Sequence, residues 1–226
     1  MEIRLLYRDR DIVLCVKPAG TDAEQELPAL LREQLGGEFY CVHRLDKPVG
    51  GLMVYARTPR AAAALSRQIA MGELDKRYLA VVEGQPETEA QCRDLLFHDK
   101  ARNKSYVVKR PRKGVKEARL SYRCLAQREG LSLLDIHLET GRSHQIRVQL
   151  ASRGLPLAGD ARYGSRRRDC GLALWCRALR LRHPVSGERL DASLPPESDI
   201  PPWSLFDLSA LPDQNTKETP LCAILN

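Results

Sequence analysis

Three stretches of this chain carry side chains whose types and spacing suit chemistry on an anionic substrate. In His43-Arg44-Leu45-Asp46 a carboxylate follows two basic residues and leads into Lys47-Pro48-Val49-Gly50-Gly51. There Pro48 fixes φ, and the glycines permit positive φ and close backbone approach. Asp46 is left at the rim of a rigid turn, where a carboxylate can face a ligand instead of the core. In Gly141-Arg142-Ser143-His144-Gln145-Ile146-Arg147, helical geometry puts His144 and Ser143 on the same face as Arg147. The third stretch carries Lys100, Arg102, Lys104, Lys109, Arg110, Arg112, Lys113, Lys116 and Arg119 against one acid, Glu117. Tyr106 lies among these cations, and phosphate contacts and base stacking commonly occur together. Each stretch also has a plainer reading. Asp46 can open a turn by bonding its own backbone, and the cations can be the solvated face of a hairpin.

The elements that must position these groups are short strands and a few helices. Residues 39–45 alternate apolar and polar as a strand edge, and residues 52–56 read as a buried strand. Residues 3–7 and 11–16 form two more strands, the second running into the turn Lys17-Pro18-Ala19-Gly20. A helix is expected over 26–35, with Pro28 early and Gly36-Gly37 closing it. Thr58 and Pro59 start a helix over 61–70 that exposes Arg60 and Arg67, buries Leu65 and Ile69, and stops at Gly72. Strands follow over 76–82, 92–98, 105–109 and 118–125, with Tyr78 near the start of the first. Residues 131–140 are apolar on both faces and belong in the middle of a sheet. They deliver a helix with Ser143 as N-cap, Ile146 and Leu150 on the core side and Gly154 as its end. Residues 157–164 form a loop beside Arg166, Arg167 and Arg168, which could touch phosphate or form a solvated corner. A hairpin over 172–181 and 188–192 turns at residues 183–187. The pattern predicts an α+β fold: one catalytic domain with a long mixed, mainly antiparallel sheet and a central cleft.

Composition narrows the partners. The 226 residues, 43% hydrophobic, suffice for a proper core. A net charge of +7 favours an anionic partner, nucleic acid first. The seven cysteines include no Cys-x-x-Cys pair, and no leader or membrane-spanning run is visible, so a cytoplasmic protein with reduced thiols is expected. There is no Gly-Lys phosphate loop, and the five histidines show no ligand spacing, so neither metal nor cofactor is expected.

The motif His43-Arg44-Leu45-Asp46, with Gly51-Leu52 five residues on, resembles the catalytic motif of the RluA-type pseudouridine synthases, which isomerise uridine in RNA. His144-Gln145-Ile146-Arg147, the opening Lys17-Pro18-Ala19-Gly20, Gly159-Asp160 with Tyr163-Gly164, and the final hairpin are similar to the same family. The resemblance covers roughly the first two hundred residues. It implies that Asp46 is the nucleophile, that Tyr78, in a Lys-x-Tyr context, stacks on the target base, and that Arg147 keeps Asp46 ionised. His43, Arg44, Gly51, Leu52, Lys76, Arg142, His144 and Gln145 would then contact substrate, and Lys109, Arg110, Arg112 and Lys113 would grip RNA phosphates. The family's usual Thr-Ser-Gly after the Asp is Val49-Gly50-Gly51 here. The partner would be tRNA or large-subunit rRNA, and the enzyme a monomer without cofactor. Two other functions compete: an RNA-binding protein without the chemistry, and a nucleosidase, which would need a second carboxylate such as Asp135, Glu139 or Asp160. Residues 1–202 would form the catalytic domain and 203–226 a tail, with Trp203 and Phe206 docked and the last dozen residues disordered.

Overall fold

The computed structural model describes residues 1–209 and residue 211. The expected disorder of the last dozen residues lies outside these. Among the described residues, 1–76 and 175–196 form one compact unit, and residues 77–174 and 197–208 a second.

The first unit is built on β1 (Leu5–Arg8), β2 (Ile12–Lys17), β4 (Gly50–Ala56) and β10 (Leu174–Arg182), side by side in that order. β3 (Tyr40–Cys41) pairs with β4, and β11 (Arg189–Ser193) pairs with β10. β4 is buried along its whole length, so it reads as an unbroken apolar run instead of an alternation. β10 lies parallel to β4, and the other pairings of the unit are antiparallel. α1 (Glu26–Leu35) and α2 (Pro59–Met71) complete the unit. Thr58 Oγ1 accepts the Ala61 N–H at 3.1 Å, and Gly72 at φ +74° closes α2 as expected.

The expected strand over 39–45 shrinks to two residues. Beyond Cys41 the chain leaves β4, and His43 Nε2 takes over the Val54 N–H at 3.1 Å. On α2 Leu65 is buried as expected, but its companion is Gln68, with Ile69 only half-buried. Gln68 is enclosed because its amide makes two bonds with the Arg182 backbone, Nε2 to O at 2.8 Å and N to Oε1 at 3.0 Å.

In the second unit the antiparallel order is β5 (Asp75–Glu83), β9 (Leu131–Leu138), β8 (Val115–Arg128), β6 (Glu89–Asp99) and β7 (Lys104–Val108). β9 is central, as its two apolar faces predict. α3 (Gln145–Ala151) follows it and is buried from Gln145 through Leu150. The helix ends at Ala151, before the expected Gly154, which follows in the left-handed region at φ +76°. His144 and not Ser143 is its N-cap, and the Ser143 carbonyl accepts the Ser105 hydroxyl at 2.6 Å. Trp203 and Phe206 are both buried, as expected. The fold is α+β and mainly antiparallel, and among the described residues no helix is long and apolar enough to cross a membrane.

Candidate active site

In the first unit the Asp46 turn is built from underneath. Lys17 is 0% exposed and donates from Nζ to the carbonyls of Pro18 at 3.0 Å, Thr21 at 2.7 Å and Lys47 at 3.0 Å. The Gly20 N–H meets the same Lys47 carbonyl at 2.8 Å, and the Val49 N–H closes the turn on the Asp46 carbonyl at 2.9 Å. One ammonium thus stitches the turn after Asp46 to the loop after β2. Burial pushes Lys17 down to about 8, against the pull of the Asp22, Asp46 and Glu26 charges. Asp46 itself is half-buried, Lys47 is exposed and paired with Glu26 at 2.8 Å, and Arg44 is exposed and paired with Glu24 at 3.1 Å.

His43 holds the other side of the turn. Its Nε2 accepts from Val54, so the ring is neutral with its proton on Nδ1. Burial, helped by the Lys76 charge, pushes its pKa down to about 3. Lys76 is half-buried, and burial lowers its pKa too. Gly51, at φ +122°, lies so close to the Cys176 backbone that a Cβ could not be placed there. Leu52, expected to meet substrate, is fully enclosed and belongs to the core, since both faces of β4 are covered.

The second unit holds a polar cluster around α3. Arg147 and Asp160 are both buried and form a two-pronged pair, Nε to Oδ2 at 2.7 Å and Nη2 to Oδ1 at 2.8 Å. The Arg147 guanidinium also lies 5.1 Å from the centre of the Tyr163 ring. The Tyr163 hydroxyl accepts the Ser105 N–H at 2.8 Å and lies 2.9 Å from His144 Nδ1. Since Ser105 Oγ donates to Ser143, it accepts from His98 Nδ1 at 3.1 Å. His144 adopts φ +54°, an uncommon conformation for a non-glycine residue that tends to mark functional sites. Gln145 serves the turn: its Oε1 accepts from Thr140 at 2.8 Å and from the Arg142 N–H at 3.0 Å, and its Nε2 donates to the Arg119 carbonyl at 3.0 Å. Arg142 Nε donates to the Glu117 carbonyl at 2.9 Å. Tyr78, on β5 opposite Ile136, is 5% exposed.

The cationic stretch is the β6–β7 hairpin and the loop into β8. Lys109, Arg110, Arg112, Lys113 and Lys116 are exposed. Arg112 stacks on Phe97 at 4.6 Å, and Lys104 lies 5.8 Å from the Tyr106 ring centre. Among the described residues none of Lys109, Arg110, Lys113 and Lys116 has an acidic partner, whereas Arg102, Arg119 and Arg93 do.

Asp9, Asp11 and His183 gather donor atoms within 4.8 Å of one another. Their ligand atoms are already engaged. Asp9 Oδ1 accepts the Asp11 and Ile12 N–H groups at 2.8 Å each, its Oδ2 meets His183 Nε2 at 2.8 Å, and His183 Nδ1 accepts the Ser186 N–H at 3.0 Å. This knot ties the β1–β2 turn to the β10–β11 turn.

Sequence reasoning missed Lys17, Asp160 and Tyr163 as partners of the site residues. The signal was there in Gly159-Asp160 and Tyr163-Gly164, but which side chain meets Arg147 is a tertiary fact.

Residues 11–152, which include His43 to Asp46, Tyr78 and His144 to Arg147, match the RNA pseudouridylate synthase family. The chain belongs to that family. It is 31% identical over 83% of its length to tRNA pseudouridine synthase C of Pectobacterium carotovorum, and spans 57% of that protein. It is 32% identical over 88% of its length to the RNA pseudouridine synthase YhcT of Bacillus subtilis, and spans 70% of it. It is also 34% identical over 83% of its length to ribosomal large subunit pseudouridine synthase D of Nitrosomonas europaea, and spans 60% of it. The chain thus spans little more than half the length of some of its relatives. Among solved structures, human RNA pseudouridylate synthase domain containing 1 shares the fold, with a TM-score of 0.76 over 89% of this chain and 86% of that one, at 23% identity.

Proposed function

We propose that this chain converts uridine to pseudouridine in structured RNA, with Asp46 as nucleophile. The observation that carries the reading is family membership: the matched residues 11–152 contain Asp46, Tyr78 and Arg147 in their motifs. The reaction breaks the N1–C1′ bond, rotates the base, and forms a C5–C1′ bond. The hydrogen displaced from C5 leaves as a proton and N1 regains one, so the change is redox-neutral and needs no group donor.

Asp46 forms and releases the covalent adduct that frees the base. The turn clamped by Lys17 and His43 supports this role by fixing the carboxylate's backbone before substrate arrives. Tyr78 stacks on the uracil, and Arg147 supplies positive charge to the reaction. The unpaired cations of residues 109–116 hold phosphate, which suits RNA of either class named among the relatives, tRNA and large-subunit rRNA. A looped-out uridine is the favoured target, since pulling a base from its stack costs a few kcal/mol.

Incubation with RNA carrying tritium at uridine C5 tests the reading. Tritium appearing in solvent together with pseudouridine in the digest supports it. RNA bound without turnover, or free uracil, would replace it with a binding protein or a nucleosidase.

A further inference from the structure

We infer that Trp175 is a positioning residue for the Asp46 turn, acting through Gly50. The inference rests on the reading of Asp46 given above.

Gly50 and Gly51 follow the turn side by side and are glycines for different reasons. Gly51 has φ +122° and faces the Cys176 backbone, so both conformation and space require glycine. Gly50 has no positive φ, and its backbone conformation is open to any residue. What forbids a side chain at Gly50 is Trp175. An added Cβ would lie 2.5 Å from Cζ3 and 2.7 Å from Cε3 of the indole, and the next neighbour, the Ala19 nitrogen, is at an ordinary 3.5 Å.

The ring cannot simply swing aside. Trp175 is the ladder partner of Gly50 where β10 runs parallel to β4, so its Cα is fixed opposite the glycine. Its Nε1–H donates to the Leu194 carbonyl at 2.8 Å, and the Leu194 N–H is itself held by the Arg177 carbonyl at 2.8 Å. The indole is thus braced at both ends and forms a wall against the backbone that leaves the turn. Val49, between Gly50 and the turn, is buried and bonded to the Asp46 carbonyl at 2.9 Å. A shift of Gly50 is therefore passed to Asp46 within four residues. In place of a side chain at position 50, this chain sets the end of the turn with an aromatic side chain from a strand more than a hundred residues away.

The test is a double-mutant cycle of Gly50→Ser and Trp175→Val, read as turnover at saturating RNA and as KM, with the folded fraction checked by circular dichroism. Gly50→Ser is expected to lower kcat at least tenfold, because ring or turn must move. Trp175→Val, which removes the wall, is expected to lower kcat about tenfold with KM within twofold. The double variant is expected to regain most of the loss of Gly50→Ser, and Trp175→Phe to stay closer to wild type than Trp175→Val. Strict additivity in the cycle would overturn the inference, and so would wild-type kcat in Trp175→Val. The second criterion stands even if Gly50→Ser fails to fold. Inactivity of the unaltered protein on every RNA would instead sink the reading of Asp46, which keeps the two failures apart.

Discussion

Arg147 and Asp160 meet as a two-pronged pair at 2.7 and 2.8 Å, with neither side chain more than 6% exposed. Such a pair adds little to stability in itself, yet removing one partner strands a buried charge. Arg147→Met is expected to cost about 3–5 kcal/mol in urea unfolding together with turnover. Replacing both residues by apolar side chains should restore most of the stability and none of the activity. Recovery of activity in the double variant would reduce Arg147 to a structural role.

Asp46→Asn should abolish isomerisation and leave RNA affinity within a few-fold. Asn is nearly isosteric, and the turn is held by backbone bonds that do not use the carboxylate. Appreciable turnover by this variant, measured as tritium release, would remove Asp46 from the mechanism.

The exposed cations make a prediction about salt. Neutralising Lys109, Arg110, Arg112 and Lys113 should weaken RNA binding and lower the log–log salt slope by about 0.7–0.9 for each phosphate that is no longer neutralised. Turnover at saturating RNA should change little. A slope that stays put would return these residues to the status of a solvated hairpin, and would direct the search for phosphate-binding groups to Arg166, Arg167 and Arg168.

His43 makes a prediction about acid. Its folded pKa is lowered from 6.5 to about 3, first by burial and then by Lys76. Between those two values the unfolded chain binds a proton that the folded chain does not. Stability should therefore fall as pH drops below about 6.5, by up to roughly 1.4 kcal/mol per pH unit from this group. In His43→Gln the side chain can still accept the Val54 N–H but has nothing to titrate, so the pH dependence should be shallower by close to one proton. An unaltered slope would show that His43 is not the group responsible.

Much of this was legible in the chain because it is local. Thr58-Pro59 and Gly72 bound α2, Gly36 closes α1, and the two-faced apolar run of β9 declares a central strand. The motifs around Asp46 and Arg147 are also contiguous, so their family could be read directly. Illegible were the bonds between residues far apart in sequence. Lys17 looks like the first residue of an exposed turn, yet the Lys47 carbonyl, thirty residues on, helps to bury it. Gln68 looks like a surface position on α2, yet it is enclosed by bonds to Arg182. His144 gave no sign of its left-handed backbone, which goes with a bond to Tyr163 nineteen residues later. Leu52 was placed against substrate by its motif, yet β4 is covered on both faces and holds it in the core.

The discontinuity of the first unit bears on how the chain is made. β4 is complete once Ala56 has left the ribosome, but β10, which pairs with its Gly50–Gly51 end, begins only at Leu174. At about 5–20 residues per second, that gap lasts on the order of 6–24 s. Residues 77–174, by contrast, are continuous and can close their own sheet as they emerge. During synthesis the order of assembly would then invert the order of the sequence. The sheet of the second unit would form first, with residues 197–208 joining it only later, and the turn that carries Asp46 would wait for a strand still inside the exit tunnel. A nascent chain stalled before Leu174 would thus carry Asp46 without Trp175 opposite Gly50.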